Sequence, residues 1–132
     1  MNKQYGTIPF VREDGKIKVI MITSASGYWI FPKGQYEKDE GKSGTAAMES
    51  LEEAGVEGRI LKNNAYRTKV FIKSGEEVHL TLYAMEVKKI HAKWEEDHRR
   101  ERKILTFKEA RKRITSDSLL KCLEKFERDF AQ

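Results

Sequence analysis

Apolar and polar positions change period several times along this chain, and each change marks an element. Residues 5–11 and 17–23 are rich in aromatic and β-branched side chains and flank the polar turn Arg12-Glu13-Asp14-Gly15-Lys16. That is the pattern of a β-hairpin. Within its second arm, Ile17-Lys18-Val19-Ile20-Met21-Ile22 is nearly all apolar, as in a strand covered on both faces. Residues 28–31 form a short strand leading to Pro32, residues 33–44 a loop, and residues 60–72 alternate imperfectly and contain a strand. The turn Lys73-Ser74-Gly75-Glu76-Glu77 leads into residues 78–87, where Val78, Leu80, Leu82 and Ala84 alternate with His79, Thr81, Tyr83 and Met85. Period two again predicts a strand. Residues 106–114 read as a short basic helix. Ser116 or Asp117 caps a final helix with the apolar stripe Leu119, Leu120, Leu123, Phe126 and Phe130.

One internal segment follows a helical rule. Thr45-Ala46-Ala47-Met48-Glu49-Ser50-Leu51-Glu52-Glu53-Ala54 is rich in helix formers, and Gly55 is a left-handed stop. Strands around this helix, closed by the C-terminal one, predict an α/β fold with a mixed sheet covered on both faces. A single domain over residues 1–132 is expected.

The internal helix carries the chemistry. Glu49, Glu52 and Glu53 fall at i, i+3 and i+4 and share one face. Glu49 and Glu53 repel, and Glu52 and Glu53 occupy the last turn, where the helix dipole favours cations. No basic residue lies between Lys42 and Arg59, although the chain has a net charge of +5. An acidic run is ordinarily a solvated face. Uncompensated at the wrong end of a helix, this one calls for a divalent cation with oxygen ligands.

The flanking spacing agrees. Gly34, Glu40, Glu49, Glu52, Glu53, Gly55 and Val56 match G-x5-E-x7-x-E-x-x-E-E-x-G-aliphatic. The segment resembles the signature of the Nudix hydrolases, with Met48 where the family has Arg and Ser50 where it has an aliphatic residue. The resemblance implies an α/β/α sandwich and hydrolysis of a diphosphate linkage. It implies Glu49, Glu52 and Glu53 as catalytic residues and, with the backbone carbonyl of Gly34, as ligands of Mg2+ or Mn2+. Glu40 fills the remaining signature carboxylate, structural or reaching the metal through water. The general base would be Glu49, Glu53, or a later-loop residue such as Glu95, Glu96 or Asp97.

Most of residues 5–115 is further similar to the diphosphoinositol polyphosphate and diadenosine polyphosphate hydrolases. That similarity rests on Pro9-Phe10, the strand ending Ile22-Thr23-Ser24, Trp29-Ile30-Phe31-Pro32-Lys33-Gly34 and Arg102-Lys103-Ile104-Leu105-Thr106-Phe107-Lys108-Glu109-Ala110. It suggests Lys18, Lys33, Arg67, Lys69 and His79 as phosphate-binding side chains. Trp29 and Phe31 could stack a base, although core burial is commoner for such residues. The alternative, motivated by Met48, is a catalytically weak nucleotide- or RNA-binding module.

Composition narrows the partners. Residues 88–113 hold eleven Lys or Arg and five Asp or Glu, a local excess of 11 − 5 = +6. Such a stretch is a solvated surface or attracts polyanions. Without an aromatic RNA-binding signature, a phosphate-rich small molecule is favoured over nucleic acid. No apolar run is long enough for a membrane span, and no secretory signal is expected. Cys122 is the sole cysteine and sits in the apolar stripe; this suits core packing and a cytoplasmic setting. His79, His91 and His98 lack zinc-site spacing.

Overall fold

The structure, a computed structural model, describes residues 2–130; Met1 and residues 131–132, the ends of the expected domain, lie outside the described residues. The chain runs β1 (Asn2–Glu13), β2 (Lys16–Thr23), β3 (Trp29–Ile30), β4 (Lys33–Gln35), α1 (Gly41–Ala54), β5 (Val56–Phe71), β6 (Glu77–Ile90), a 3-10 turn (Asp97–Arg99), β7 (Arg102–Leu105), α2 (Phe107–Arg113) and α3 (Asp117–Phe130).

All strands join one mixed sheet with the order β3-β2-β1-β6-β5. β1 pairs antiparallel with β2 at one end and with β4 at the other, and parallel with β6 along its length. β7 pairs antiparallel with β2. Alternation sorts the side chains. Even positions of β1 such as Ile8 and Phe10 join Leu80, Leu82, Leu119, Leu123 and Phe126 in the main core beneath α2 and α3. Odd positions turn to the opposite face, where Tyr5 packs with Ala46 of α1 and Thr7 meets Ser50 at 2.7 Å. On the same face Ile20 and Ile22 pack with Ala54, Val56 and Met85. With helices on both faces, the architecture is the expected α/β/α sandwich.

Several elements differ from the sequence expectation, β1 and β6 by running longer at both ends. β4 lies within the predicted loop, because Tyr5 and Gly6 of β1 offer backbone partners to Gly34 and Lys33. α1 begins at Gly41 rather than residue 45. β5 starts at Val56, directly after the helix stop, and carries irregularities at Glu57/Gly58 and Leu61/Ala65 that blur its alternation. β7 was not foreseen: its charged sequence joins the sheet through long-range pairing with Val19–Ile22. Among the described residues, no helix is long and apolar enough to cross a membrane.

Candidate active site

The C-terminal end of α1 is built by three parts of the chain. Gly55 stops the helix at φ 65° and donates its N–H to Leu51 and Ser50 carbonyls. A β-carbon there would also come within 2.7 Å of Trp94, so only glycine satisfies both the dihedral and the space. The carbonyls left open at the helix end are met by the segment after β6. Glu96 N–H donates to Glu52 O (3.1 Å) and His91 N–H to Gly55 O (2.8 Å). Trp94 Nε1 donates to Glu53 O (2.9 Å) and Arg102 Nη1 to Ala54 O (2.8 Å). The Arg102 guanidinium also lies 4.0 Å over the Trp94 ring, a cation–π contact. Cations therefore do reach the negative end of this helix, through space rather than along the sequence, and the expectation of an unrelieved helix end is corrected in that respect.

The three glutamates differ in what holds them. Glu53 is pinned: Lys33 N–H donates to Oε1 (3.1 Å) and Arg100 Nη2 lies 3.4 Å from Oε2. Burial still pushes its carboxyl above the usual range, opposed by Arg100 and the Lys33 N–H. Among the described residues no salt bridge reaches Glu49 or Glu52, so Arg100 is the cation of this cluster. Glu49 is raised to about 7, first by burial and then by the charges of Glu53 and Glu52. Glu52 is raised by burial and by Glu95 and Glu96.

Gly34 packs against this group so tightly that an added β-carbon would lie 2.2 Å from Glu49 Cδ. The glycine is needed there for close approach of its backbone to a carboxylate. These hard oxygen donors suit Mg2+ or Mn2+. Among the described residues, no three acidic, imidazole or thiol groups are drawn together tightly enough to form a ready-made shell. Water and substrate oxygens would have to complete it.

Other predicted site residues scatter. Glu40 is exposed at the N-terminal end of α1, about 13 Å along the axis from Glu49 at 1.5 Å per residue; the structure does not bring it into the cluster. Lys18 pairs with Glu13 at 2.9 Å, toward the end of β2 remote from Thr23 and Arg100. Lys33 reaches the site with its N–H, while its ammonium, lowered by burial, donates to Gln4 Oε1 at 2.9 Å. Lys69 is exposed and faces Glu77 at 3.8 Å. Arg67 and His79 do come together. With Lys3, Lys42, Tyr5, Thr81 and Tyr83 they line a cavity of about 240 Å3. Tyr5 is the partner of Gly34 across β1 and β4, so this basic cavity borders the acidic cluster.

Of the loop acids, Glu96 is bound by Arg99 (3.1 Å) and Arg100 (2.8 Å), and Asp97 accepts from Trp94 N–H. Phe31 is fully buried, which excludes base stacking, and Trp29 is half-buried against the main core. Ser50, the departure inside the signature, is explained: its hydroxyl lies buried between Thr7 Oγ1 (2.7 Å) and Ala46 O (2.8 Å). Sequence reasoning missed Trp94, Arg100 and Arg102, whose roles depend on the return of the chain to α1. Lys3 was also missed, although it shares the odd parity of Tyr5.

Comparison with known proteins gives the family and the fold. The family model described as "NUDIX domain" matches residues 4–126. Nudix hydrolase 16, mitochondrial, of Arabidopsis thaliana is 42% identical over 106 residues, covering 74% of this chain and 59% of that protein. Nudix hydrolase 13, mitochondrial, of the same plant is 33% identical over 130 residues, covering 90% and 64%. The chain thus spans about three fifths of the length of these curated relatives. Among solved structures, a Caenorhabditis elegans Ap4A hydrolase binary complex superposes with TM-score 0.80 at 18% identity, covering 99% of this chain and 98% of that one. The Nudix domain of Shewanella oneidensis NrtR, complexed with ADP ribose, gives TM-score 0.79 at 14% identity over 98% and 88%. These two matches bear on the fold, and the family match spans nearly every described residue: the chain belongs to the Nudix family.

Proposed function

We propose that this chain is a pyrophosphohydrolase that uses a divalent cation held by Glu49, Glu52 and Glu53, with the backbone of Gly34, to cleave a substrate bearing several phosphates. The observation that carries the reading is Glu49: a half-buried carboxylate without a cationic partner, beside two further glutamates and against a glycine backbone. Mg2+ or Mn2+, when bound, neutralises the diphosphate and activates water for in-line attack at phosphorus.

The chain's own groups divide the remaining work. Both Glu53 oxygens are engaged by Lys33 N–H and Arg100. Glu49 lacks any such donor, which makes it the better placed of the two to take a proton from the attacking water. Burial pushes the Glu96 carboxyl up, but its ties to the Arg100 and Arg99 guanidinium groups together outweigh that and hold it below the usual carboxylate range, which argues against it as base. The basic cavity of Lys3, Lys42, Arg67 and His79 would receive phosphates beyond the scissile pair. Charge-assisted hydrogen bonds there favour a polyanion and weaken with salt. The binding-module alternative drew on Met48, and Arg100 supplies the carboxylate partner whose absence motivated it.

Competing hydrolysis of diadenosine tetraphosphate, a diphosphoinositol polyphosphate and ADP-ribose with Mg2+ tests the assignment. The polyphosphates should show the higher kcat/KM, their KM should rise steeply with salt, and Arg67→Gln should raise that KM further. Preference for ADP-ribose with a salt-insensitive KM would reject the polyphosphate assignment while leaving diphosphate hydrolysis intact.

A further inference from the structure

Arg100 has no role in the signature, yet its position is over-determined. Its side chain is 13% exposed. Nη1 donates to Thr23 O at 2.8 Å, Nε to Glu96 Oε1 at 2.8 Å, and Nη2 lies 3.4 Å from Glu53 Oε2. One planar fork therefore ties together the end of β2, the segment after β6 and the acidic end of α1. Lysine could not span three such acceptors, since its ammonium is a compact point charge.

The neighbouring cation, Arg102, acts differently. It caps Ala54 O and covers Trp94 without touching a carboxylate of the cluster. Met48 meanwhile leaves α1 with no arginine of its own. Thr23, Glu53 and the Glu96–Arg100 pair come from three separate places in the chain, so the contact forms only once β2, α1 and the later segment have packed.

We propose that Arg100 is the positioning residue of this site: it fixes the Glu53 carboxylate against Lys33 N–H and locks the segment carrying Glu96 onto α1, a task no residue of the signature performs here. It acts through Glu53 rather than on substrate. The catalytic part of this proposal rests on the pyrophosphohydrolase reading; the structural part does not. Misplacing a carboxylate by even an ångström costs on the order of a hundredfold in rate. Breaking one of its two anchors should therefore fall mainly on kcat.

The test is a double-mutant cycle on the metal-free protein together with kinetics. In the wild-type background Glu53→Gln removes a paired charge and should leave Tm unchanged or lower. In the Arg100→Gln background Glu53 is buried without its cation, and the same change should raise Tm. Equal shifts in the two backgrounds would overturn the proposal, and this readout stands whether or not a substrate has been found. With Mg2+ and a cleaved diphosphate, Arg100→Gln should lose about tenfold or more in kcat with KM changed by less than about threefold. Arg100→Lys should remain impaired despite its charge. Leu123→Ala on α3 serves as a variant of lowered stability with normal kcat per folded molecule. An Arg100→Gln enzyme with normal kcat, or one fully restored by lysine, would contradict the assignment. Failure of the wild-type chain to cleave any diphosphate would instead sink the function on which the catalytic part rests.

Discussion

α1 and α3 are both 14-residue helices, packed on opposite faces of one sheet, and they are held by different physics. α3 buries Leu119, Cys122, Leu123 and Phe126. Phe126 alone meets Phe130 at 4.7 Å, Phe10 at 5.4 Å and Phe107 at 5.9 Å between ring centroids. Burial pushes the Cys122 thiol up to about 11, so it packs as a small apolar group. α1 buries Thr45, Ala46, Ser50 and Ala54, small or polar groups with little apolar area to give. What fixes it instead is hydrogen bonding: Ser50 to Thr7, and the open carbonyls to Trp94, Glu96, Arg102 and His91. One helix supplies burial energy, while the other gives up stability to hold like-charged carboxylates at its end. The sheet between them lets a strained site stand on a conventional core.

The comparison breaks most readily at Phe126. Phe126→Ala should destabilise the protein by about 3–5 kcal/mol through lost transfer and the cavity left behind, while kcat per folded molecule stays unchanged. Denaturant unfolding alongside active-site-normalised rates checks both halves. A smaller effect on folding, but a larger one on function, is expected at Glu53. Glu53→Gln should lower turnover by about a hundredfold or more, on the order of 3 kcal/mol of barrier. Because Glu53 has Arg100 and Lys33 N–H as partners, this variant should not gain stability as an unpaired glutamate would.

Glu49 gives the smallest effect and the sharpest contrast. Its carboxyl titrates near 7 in the folded protein, against the ordinary value of 4.5, because of burial and the charges of Glu53, Glu52 and Glu96. The folded state thus holds a proton that the unfolded state has released between these values. Its contribution to stability is fully present below about pH 4.5 and is lost as pH rises through about 7. Thermal melts of the chelator-treated protein should show that decline, Mg2+ should reverse it, and Glu49→Gln should flatten it. Relief of like-charge repulsion should add about 0.2–0.5 kcal/mol at neutral pH. A Glu49→Gln protein with the wild-type pH profile would refute the idea that α1 stores this strain.

α3 was legible from sequence because its stripe is local: a 3.6-residue period, with Ser116 accepting from Leu119 N–H as its cap. So were the hairpin, the apolar β2, the Gly55 stop and the shared face of the glutamates. The rest of the site was hidden because its contacts join distant parts of the chain. Trp94, Arg100 and Arg102 lie in a polar, highly charged stretch that reads as a solvated surface, and only the pairing of β7 with β2 swings it back onto α1. The basic cavity was half visible. Of the bases named from resemblance, Arg67 and His79 line the cavity while Lys18 and Lys69 do not, although Glu77 stands against both His79 and Lys69. Sequence reports charge, but the register of the sheet decides which charges meet.

The central claim is that the acidic end of α1 works through a divalent cation. Inorganic phosphate, nucleotide or inositol-phosphate release from a polyphosphate substrate should be followed in one sample through excess chelator and then excess Mg2+. Enzyme-dependent cleavage should stop in chelator and recover on adding Mg2+, with no recovery for Glu53→Gln. Cleavage that persists undiminished in excess chelator would contradict the claim.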